Sequence, residues 1–272
     1  MHVLDDPTVS ARVARFLGTH GERWPSTPAE RIRRSASADG PDGPLAVVPD
    51  ELVAVAVAFE ERYGGLAYRL KTDGNHMEYG LEGPAYFRWT ADLGWMFPAA
   101  LDGAWTWGVD VLLDGRTAMA PGNWPYRLID RTIEQRLEKH ALLAEVRRWP
   151  HVTLTYETAT LVSPTVTLSG VPEVREATGP ADRLWYDGAV AACLSLRGWP
   201  AGRDRWVLRC FSRTRSGLSG VLDQLSEIGE LDDWCSICGR ALRPSMPSYV
   251  PQGGEPGLCL PSVHGGVCGA GG

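Results

Sequence analysis

From Ala104 to Leu113 apolar and polar positions alternate, with Trp105, Trp107, Val109, Val111 and Leu113 on one face and Ala104, Thr106, Gly108, Asp110 and Leu112 on the other. That is the period of a strand with one face buried. Asp114-Gly115 tolerates the positive φ angles of a type I′ turn, so the spacing predicts an antiparallel return over Arg116–Ala120. Pro121 and Pro125 end the pairing. Asp130 is placed to cap a helix on which Ile129, Ile133, Leu137, Leu142, Leu143 and Val146 recur near every third or fourth position and form one stripe. Trp149-Pro150 stops it, because proline disfavours helical backbone in the preceding residue.

Upstream, Thr8 or Ser10 caps a short helix with Val9, Val13, Phe16 and Leu17 on one face, ended by Gly18 or Gly21. Thr27-Pro28-Ala29-Glu30 fits a capping box with proline at the first helical position, predicting a second helix through Ile32. Ser37–Pro44 has no periodicity and reads as a loop. Asp50 caps a third helix built on Leu52, Val53, Val55, Ala56, Phe59 and Tyr63, with Gly64-Gly65 as its left-handed exit. Leu66–Leu70, Met77–Leu81 and Ala85–Trp89 read as short strands.

Downstream, Val152–Glu157 and Leu161–Leu168 read as strands, and Val171–Asp182 as a loop. Ala189–Leu196 and Arg205–Ser212 form a hairpin, and Leu218, Val221, Leu222, Leu225 and Ile228 mark a helix. This second region either has its own core or extends one sheet across both halves. The class is α+β: an antiparallel sheet flanked by helices, then a second sheet-and-helix region and a Cys-rich C-terminal tail. The expected divisions are an N-terminal helix over 1–25, an α+β domain over 26–150, a second region over 151–233 and the tail over 234–272.

A chain of 272 residues buries roughly three quarters of its unfolded surface, so a substantial core is expected. The longest apolar run, Leu52–Phe59, is eight residues, far short of a membrane span, and Met1–Ser10 lacks a basic leader. The expectation is a soluble, cytoplasmic protein without membrane contact. Lysine occurs only at positions 71 and 139, and the net charge is −6. Direct nucleic-acid binding needs clustered cations, whereas this charge balance permits a basic partner.

Four of the six cysteines lie from Cys235 to Cys268, which in a reducing compartment suggests metal rather than disulfides. Cys235, Cys238, Cys259, His264 and Cys268 follow the pattern C-x2-C-x20-C-x4-H-x3-C, five donors for a tetrahedral zinc that takes four. Either His264 or Cys268 is spare, or the sites are partial; the competing reading is a disordered tail with free thiols. Closure by four protein donors would make the zinc structural. A redox C-x-x-C fits poorly, because Pro244 leaves no room for a following helix.

No HExxH, GxxxxGK, GxGxxG or GxSxG motif occurs. His76 sits in a loop beside Asp73 and Glu78, His140 belongs to the surface or a satisfied core, and Glu60 and Glu61 diverge by about 100° on their helix. Trp89, Trp95, Trp105, Trp107 and Trp124 cluster around the central hairpin, either as core or as a partner-binding face, with Trp105, Trp107 and Trp124 the binding candidates. The acidic run Asp223, Glu227, Glu230, Asp232 and Asp233 is a solvated face or a surface complementary to a cationic partner.

The order of helix, Gly-Gly exit, antiparallel strands, Asp-Gly hairpin and closing helix resembles the SUKH superfamily, which contains cell-wall-assembly regulators and bacterial toxin-immunity proteins. The likeness spans roughly Pro28 to Leu143. It rests on Pro49, on Phe59–Gly65 (FEERYGG), on Leu112-Leu113-Asp114-Gly115 and on Tyr126–Leu143. It implies a SUKH-like first half and a bacterial immunity-type protein that binds and neutralises a protein partner, such as a cationic toxin or nuclease domain. It says nothing of the chain after residue 150. The alternatives are an enzyme of unrecognised class with a Trp-lined cleft, or a regulatory adaptor with structural zinc.

Overall fold

A computed structural model of the chain describes residues 1–70, 76–81, 83–102, 107–122, 124–158, 166, 168–199, 204–214, 216–218, 220–221 and 232–234. The chain is α+β and divides into two units, Met1–Ala144 and Glu145–Gly272. The described strands form two separate sheets, and among the described residues no sheet runs through both halves.

The first unit begins with a 3-10 turn, Val3–Asp5, followed by α1 (Ala11–His20), β1 (Gly21–Arg23), α2 (Ala29–Ser35), β2 (Ser37–Gly40) and β3 (Gly43–Pro44). Then come α3 (Asp50–Tyr63), β4 (Leu66–Arg69), β5 (His76–Tyr79), β6 (Tyr86–Thr90), β7 (Gly94–Asp102), β8 (Trp107–Leu112), β9 (Thr117–Met119), β10 (Arg127–Asp130) and α4 (Ile133–Val146). Ser10 caps α1 by accepting from the Val13 N–H at 3.1 Å, and Val13, Phe16 and Leu17 are buried as the periodicity requires.

Among the strands absent from the sequence reading is the central one, β7. β7 pairs with β8 along one edge, while its other edge pairs with β6 near its start and β5 near its end. Pro98 hid it, since proline is rare inside a sheet. The register slips between Pro98 and Ala100, and the carbonyl of the intervening Ala99 accepts from the Gly80 N–H at 2.9 Å. The strand thus bends where its partners part, where a missing N–H costs least. Ser37–Pro44, expected to be a loop, supplies β2 and β3, with β2 running parallel to β6. Backbone pairing across sequence distance leaves no local periodicity there.

The hairpin after β8 forms, but Leu112 pairs with Arg116 around a three-residue loop instead of a type I′ turn. Gly115, at φ 85°, takes the left-handed position. Nor does β8 bury one face only, because Asp110 and Leu112 are as buried as Val109 and Val111. Three expected caps are also corrected. Asp50 lies in the first turn of α3, not before it. The Thr27 hydroxyl donates to the Leu81 carbonyl at 3.1 Å instead of capping α2. Asp130 ends β10, and Thr132 caps α4, its hydroxyl accepting from the Gln135 N–H at 3.1 Å. Thr132→Ala is therefore expected to cost about 1 kcal/mol in denaturant unfolding, with Asp130 untouched; no change would remove Thr132 as the cap.

Helix α4 carries no simple stripe. Arg136, Leu137, Glu138, Lys139, His140, Ala141 and Leu142 are all buried, while Leu143 is only partly so. The polar members enter a buried network. Arg136 Nη1 and Lys139 Nζ donate to the two Asp130 carboxylate oxygens at 2.7 and 2.8 Å, and the Thr117 hydroxyl adds 2.8 Å. His140 Nδ1 meets the Tyr68 hydroxyl at 2.7 Å, and that hydroxyl meets Tyr79 at 2.7 Å. His140 is thus a satisfied core histidine. Phe97 stands edge-on to both Phe59 and Phe87 at 5.7 and 5.6 Å, joining α3 to the sheet.

The second unit contains β11 (His151–Thr158), β12 (Asp182–Tyr186), β13 (Val190–Gly198), β14 (Asp204–Ser212) and β15 (Asp232–Trp234), antiparallel in the order β12-β13-β14-β11-β15. β12 follows directly on the expected loop. Residues 216–218, 220 and 221 are helical, in line with Leu218 and Val221; Leu222, Leu225 and Ile228 lie outside the described residues, as does most of the Leu161–Leu168 strand. No described helix is long and apolar enough to cross a membrane.

Candidate functional site

The sheet of the first unit has a helix side and an opposite side. Phe97 touches Phe59 of α3, and Tyr68 meets both Phe16 of α1 and His140 of α4, which identifies the helix side. Paired residues of neighbouring strands share a face. The register Arg88↔Met96↔Leu112 and Pro98↔Asp110↔Ala118↔Leu128 therefore belongs to the opposite side, as does Glu78↔Leu101. On that side Met96, Leu112 and Ala118 are covered by the partly buried Leu93, Tyr126 and Leu128. Tyr86 and Leu101 are exposed there, at 38% and 37%.

At the β1, β4, β5 end of this face lies a cleft of about 130 Å³, lined by Trp24, Glu60, Glu78 and Leu101 among others. Its floor is local backbone. Gly65, at φ 77°, turns the chain out of α3, and its N–H donates to the Tyr79 carbonyl at 2.8 Å. Its carbonyl accepts from the Trp24 N–H at 2.7 Å, which brings Trp24 over the cleft. A Cβ on Gly65 would stand 2.0 Å from the Trp24 carbonyl oxygen, so only glycine permits this approach.

Glu60 comes from the last turn of α3 and is only 4% exposed. One carboxylate oxygen accepts from the Thr27 N–H at 2.5 Å and the other from the Leu81 N–H at 2.9 Å. No described cation forms an ion pair with it. Glu78 is partly exposed and hydrogen-bonds His76, which opens β5 instead of lying in a loop. The His76 ring lies 6.5 Å from that of Trp24 but does not line the cleft. Trp24 is 44% exposed, and its Nε1–H donates to Glu22 at 3.2 Å.

A second polar group lies on the same face. Arg88 donates to the Tyr126 hydroxyl at 2.7 Å and stands 3.7 Å from Asp110. Burial pushes the Asp110 carboxyl above the usual carboxylate range, and the Tyr126 hydroxyl above its own ordinary value. In the second unit, burial also raises the Cys193 and Cys210 thiols, which disfavours the reactive thiolate.

Of the five tryptophans expected around the central hairpin, the described backbone separates two groups. Trp89 and Trp95 pair at one end of β7, and the Trp107 backbone pairs with Asp102 at the other, roughly 20 Å away by strand rise. Trp124 is half-buried, its backbone N–H donating to the Pro121 carbonyl at 3.1 Å, and Trp105 lies outside the described residues. Of the acidic run, Asp232 and Asp233 lie on β15, opposite Thr155 and Leu154, at the edge of the second sheet. Asp223, Glu227 and Glu230 lie outside the described residues, as do Cys235, Cys238, Cys259, His264 and Cys268. Among the described residues, no three His, Cys, Asp or Glu side chains are grouped to hold a metal.

Sequence reasoning missed Trp24 altogether and treated Glu60 only as one of a diverging pair. A signal for the second existed: the one glutamate in α3 that continues the buried spacing of Leu52, Val53, Ala56 and Phe59. No family model matches the chain, and no curated protein or solved structure matches it either.

Proposed function

We propose that the chain is a protein-binding module of the immunity type, which holds and neutralises a partner protein on the face of its first sheet opposite α1, α3 and α4. The observation that carries the reading is that the exposed apolar side chains of that face lie beside charged groups, Trp24 and Leu101 with Glu78 at the cleft and Tyr86 with Arg88. Aromatic anchors ringed by polar residues are the usual anatomy of a recognition surface. The cleft's size supports the same reading. At about 130 Å³ it falls below the roughly 300–1,000 Å³ of small-molecule sites, and it suits one protruding side chain. The net charge of −6 favours a basic partner, and the acidic run from Asp223 to Asp233 is proposed to speed its encounter. A structural zinc in the tail, on four of Cys235, Cys238, Cys259, His264 and Cys268, belongs to the same proposal, with about one zinc per chain by elemental analysis as its check.

The binding reading is tested by using the purified chain as bait in lysate of its source organism, beside a Tyr86→Ala/Leu101→Asp variant of matched thermal stability. The wild type is expected to retain one near-stoichiometric partner, and the variant to lose most of it. Equal retention by both would remove this face from the function, and a folded wild type that retains nothing would overturn the binding reading.

A further inference from the structure

We propose that the cleft between Trp24, Glu60 and Glu78 receives an arginine side chain of the partner protein. The inference rests on the binding reading above and names the chemistry by which the partner is held. Glu60 is the first reason. It is a nearly fully buried carboxylate facing a cavity, and its described partners are two backbone amides, not a cation. Two amides occupy about half of the roughly four acceptor positions of a carboxylate and leave its charge uncompensated at short range. A cation entering the cleft would supply both missing terms.

The second reason is the wall. Trp24 presents a large exposed indole, its Nε1–H bonded to Glu22, and the partly exposed Glu78, which also hydrogen-bonds His76, lines the cleft with it. A flat aromatic surface beside carboxylates selects guanidinium over ammonium. Guanidinium is planar, stacks on aromatic rings, is weakly hydrated and offers five donors in a fixed fork, whereas ammonium is a compact and strongly hydrated point charge. The third reason is apolar. Leu66, Leu81 and Leu101 also line the cleft, and they match the methylene stem behind a charged head. An anionic side chain would meet two like charges, and a neutral one would leave Glu60 uncompensated.

The test titrates the tripeptide acetyl-Gly-Arg-Gly-amide into the isotope-labelled full chain and follows the Trp24 indole N–H, identified by its loss in Trp24→Phe. A saturable shift is expected. The citrulline tripeptide, which keeps the shape and lacks the charge, is expected to bind at least about tenfold more weakly, and so is the arginine tripeptide to Glu78→Gln. Glu60→Gln also disturbs the amides of Thr27 and Leu81, so the more exposed Trp24 and Glu78 carry the decision. Absence of a saturable shift, equal binding of citrulline, or a lysine tripeptide binding as tightly as arginine would each overturn the proposal. The two readings fail separately. A partner retained equally by wild type, Trp24→Ala and Glu78→Gln overturns the arginine cleft and leaves the module standing. Saturable arginine binding without any captured partner supports the cleft and removes the module.

Discussion

Asp130→Ala is expected to lower the unfolding free energy by about 3–5 kcal/mol, the cost of removing one member from a buried ion-paired group. Asp130 is fully buried and joins strand β10 to helix α4 by accepting from Arg136, Lys139 and Thr117 at 2.7–2.8 Å. Burial by itself would raise its carboxyl. The Lys139 and Arg136 charges and their hydrogen bonds overrule burial and hold it far below the usual carboxylate range. The sign of the pH dependence follows. A depressed carboxyl stabilises the fold above its unfolded value of about 3.9, and that stabilisation is lost as pH falls toward the folded value. The difference between wild type and Asp130→Ala should therefore be flat from pH 7 to about 5 and should narrow below about 4. Guanidinium unfolding at several pH values measures it. A loss under about 1 kcal/mol at pH 7 would mean that Arg136 and Lys139 re-pair freely and that the network is not holding the helix.

Gly65→Ala is expected to cost about 3 kcal/mol and to disorganise the cleft. Two effects add. An L side chain at φ 77° is strained by about 1–2 kcal/mol, and the new Cβ would meet the Trp24 carbonyl oxygen at 2.0 Å. Backbone oxygen cannot rotate aside as a flexible side chain can. Relief must stretch the Gly65 bonds to Trp24 and Tyr79 that form the floor. Gly115→Ala is the control. Its φ of 85° carries the same strain, but nothing lies within 4 Å of the added atom, so a loss of only about 1–2 kcal/mol is expected. Similar losses in the two variants would show that strain alone sets the cost and that the approach of Trp24 is not tight. Binding of the arginine tripeptide should fall with Gly65→Ala and survive Gly115→Ala.

The residues that build the cleft show how far sequence reading reaches. Gly64-Gly65 was legible as a helix exit, since glycine tolerates left-handed backbone there, but its second use, the approach of Trp24, depends on a partner 41 positions upstream. Glu60 was legible as a helical residue and not as a buried anion, because its partners Thr27 and Leu81 come from segments 33 residues before and 21 after. The same holds for Asp130. An aspartate just before a helix has the sequence signature of a cap, and only the packed core reveals that Thr132 takes that role while Asp130 holds Arg136 and Lys139.

By itself, then, the sequence determined what local energetics decide: α1, with its cap narrowed to Thr8 or Ser10, α3 and its glycine exit, the strands with clear alternation, the hairpin at Gly115 and the α+β class. Turn strain, capping and hydrophobic periodicity act over a few residues and leave a local imprint. Tertiary structure alone decided the rest. β7 is central despite Pro98 because its bend coincides with the parting of β5 and β6; β2 is a strand because β6 lies beside it; α4 buries charged residues because Asp130 waits beneath them. Each outcome depends on pairing or desolvation between distant segments, a free energy that no short window of residues contains.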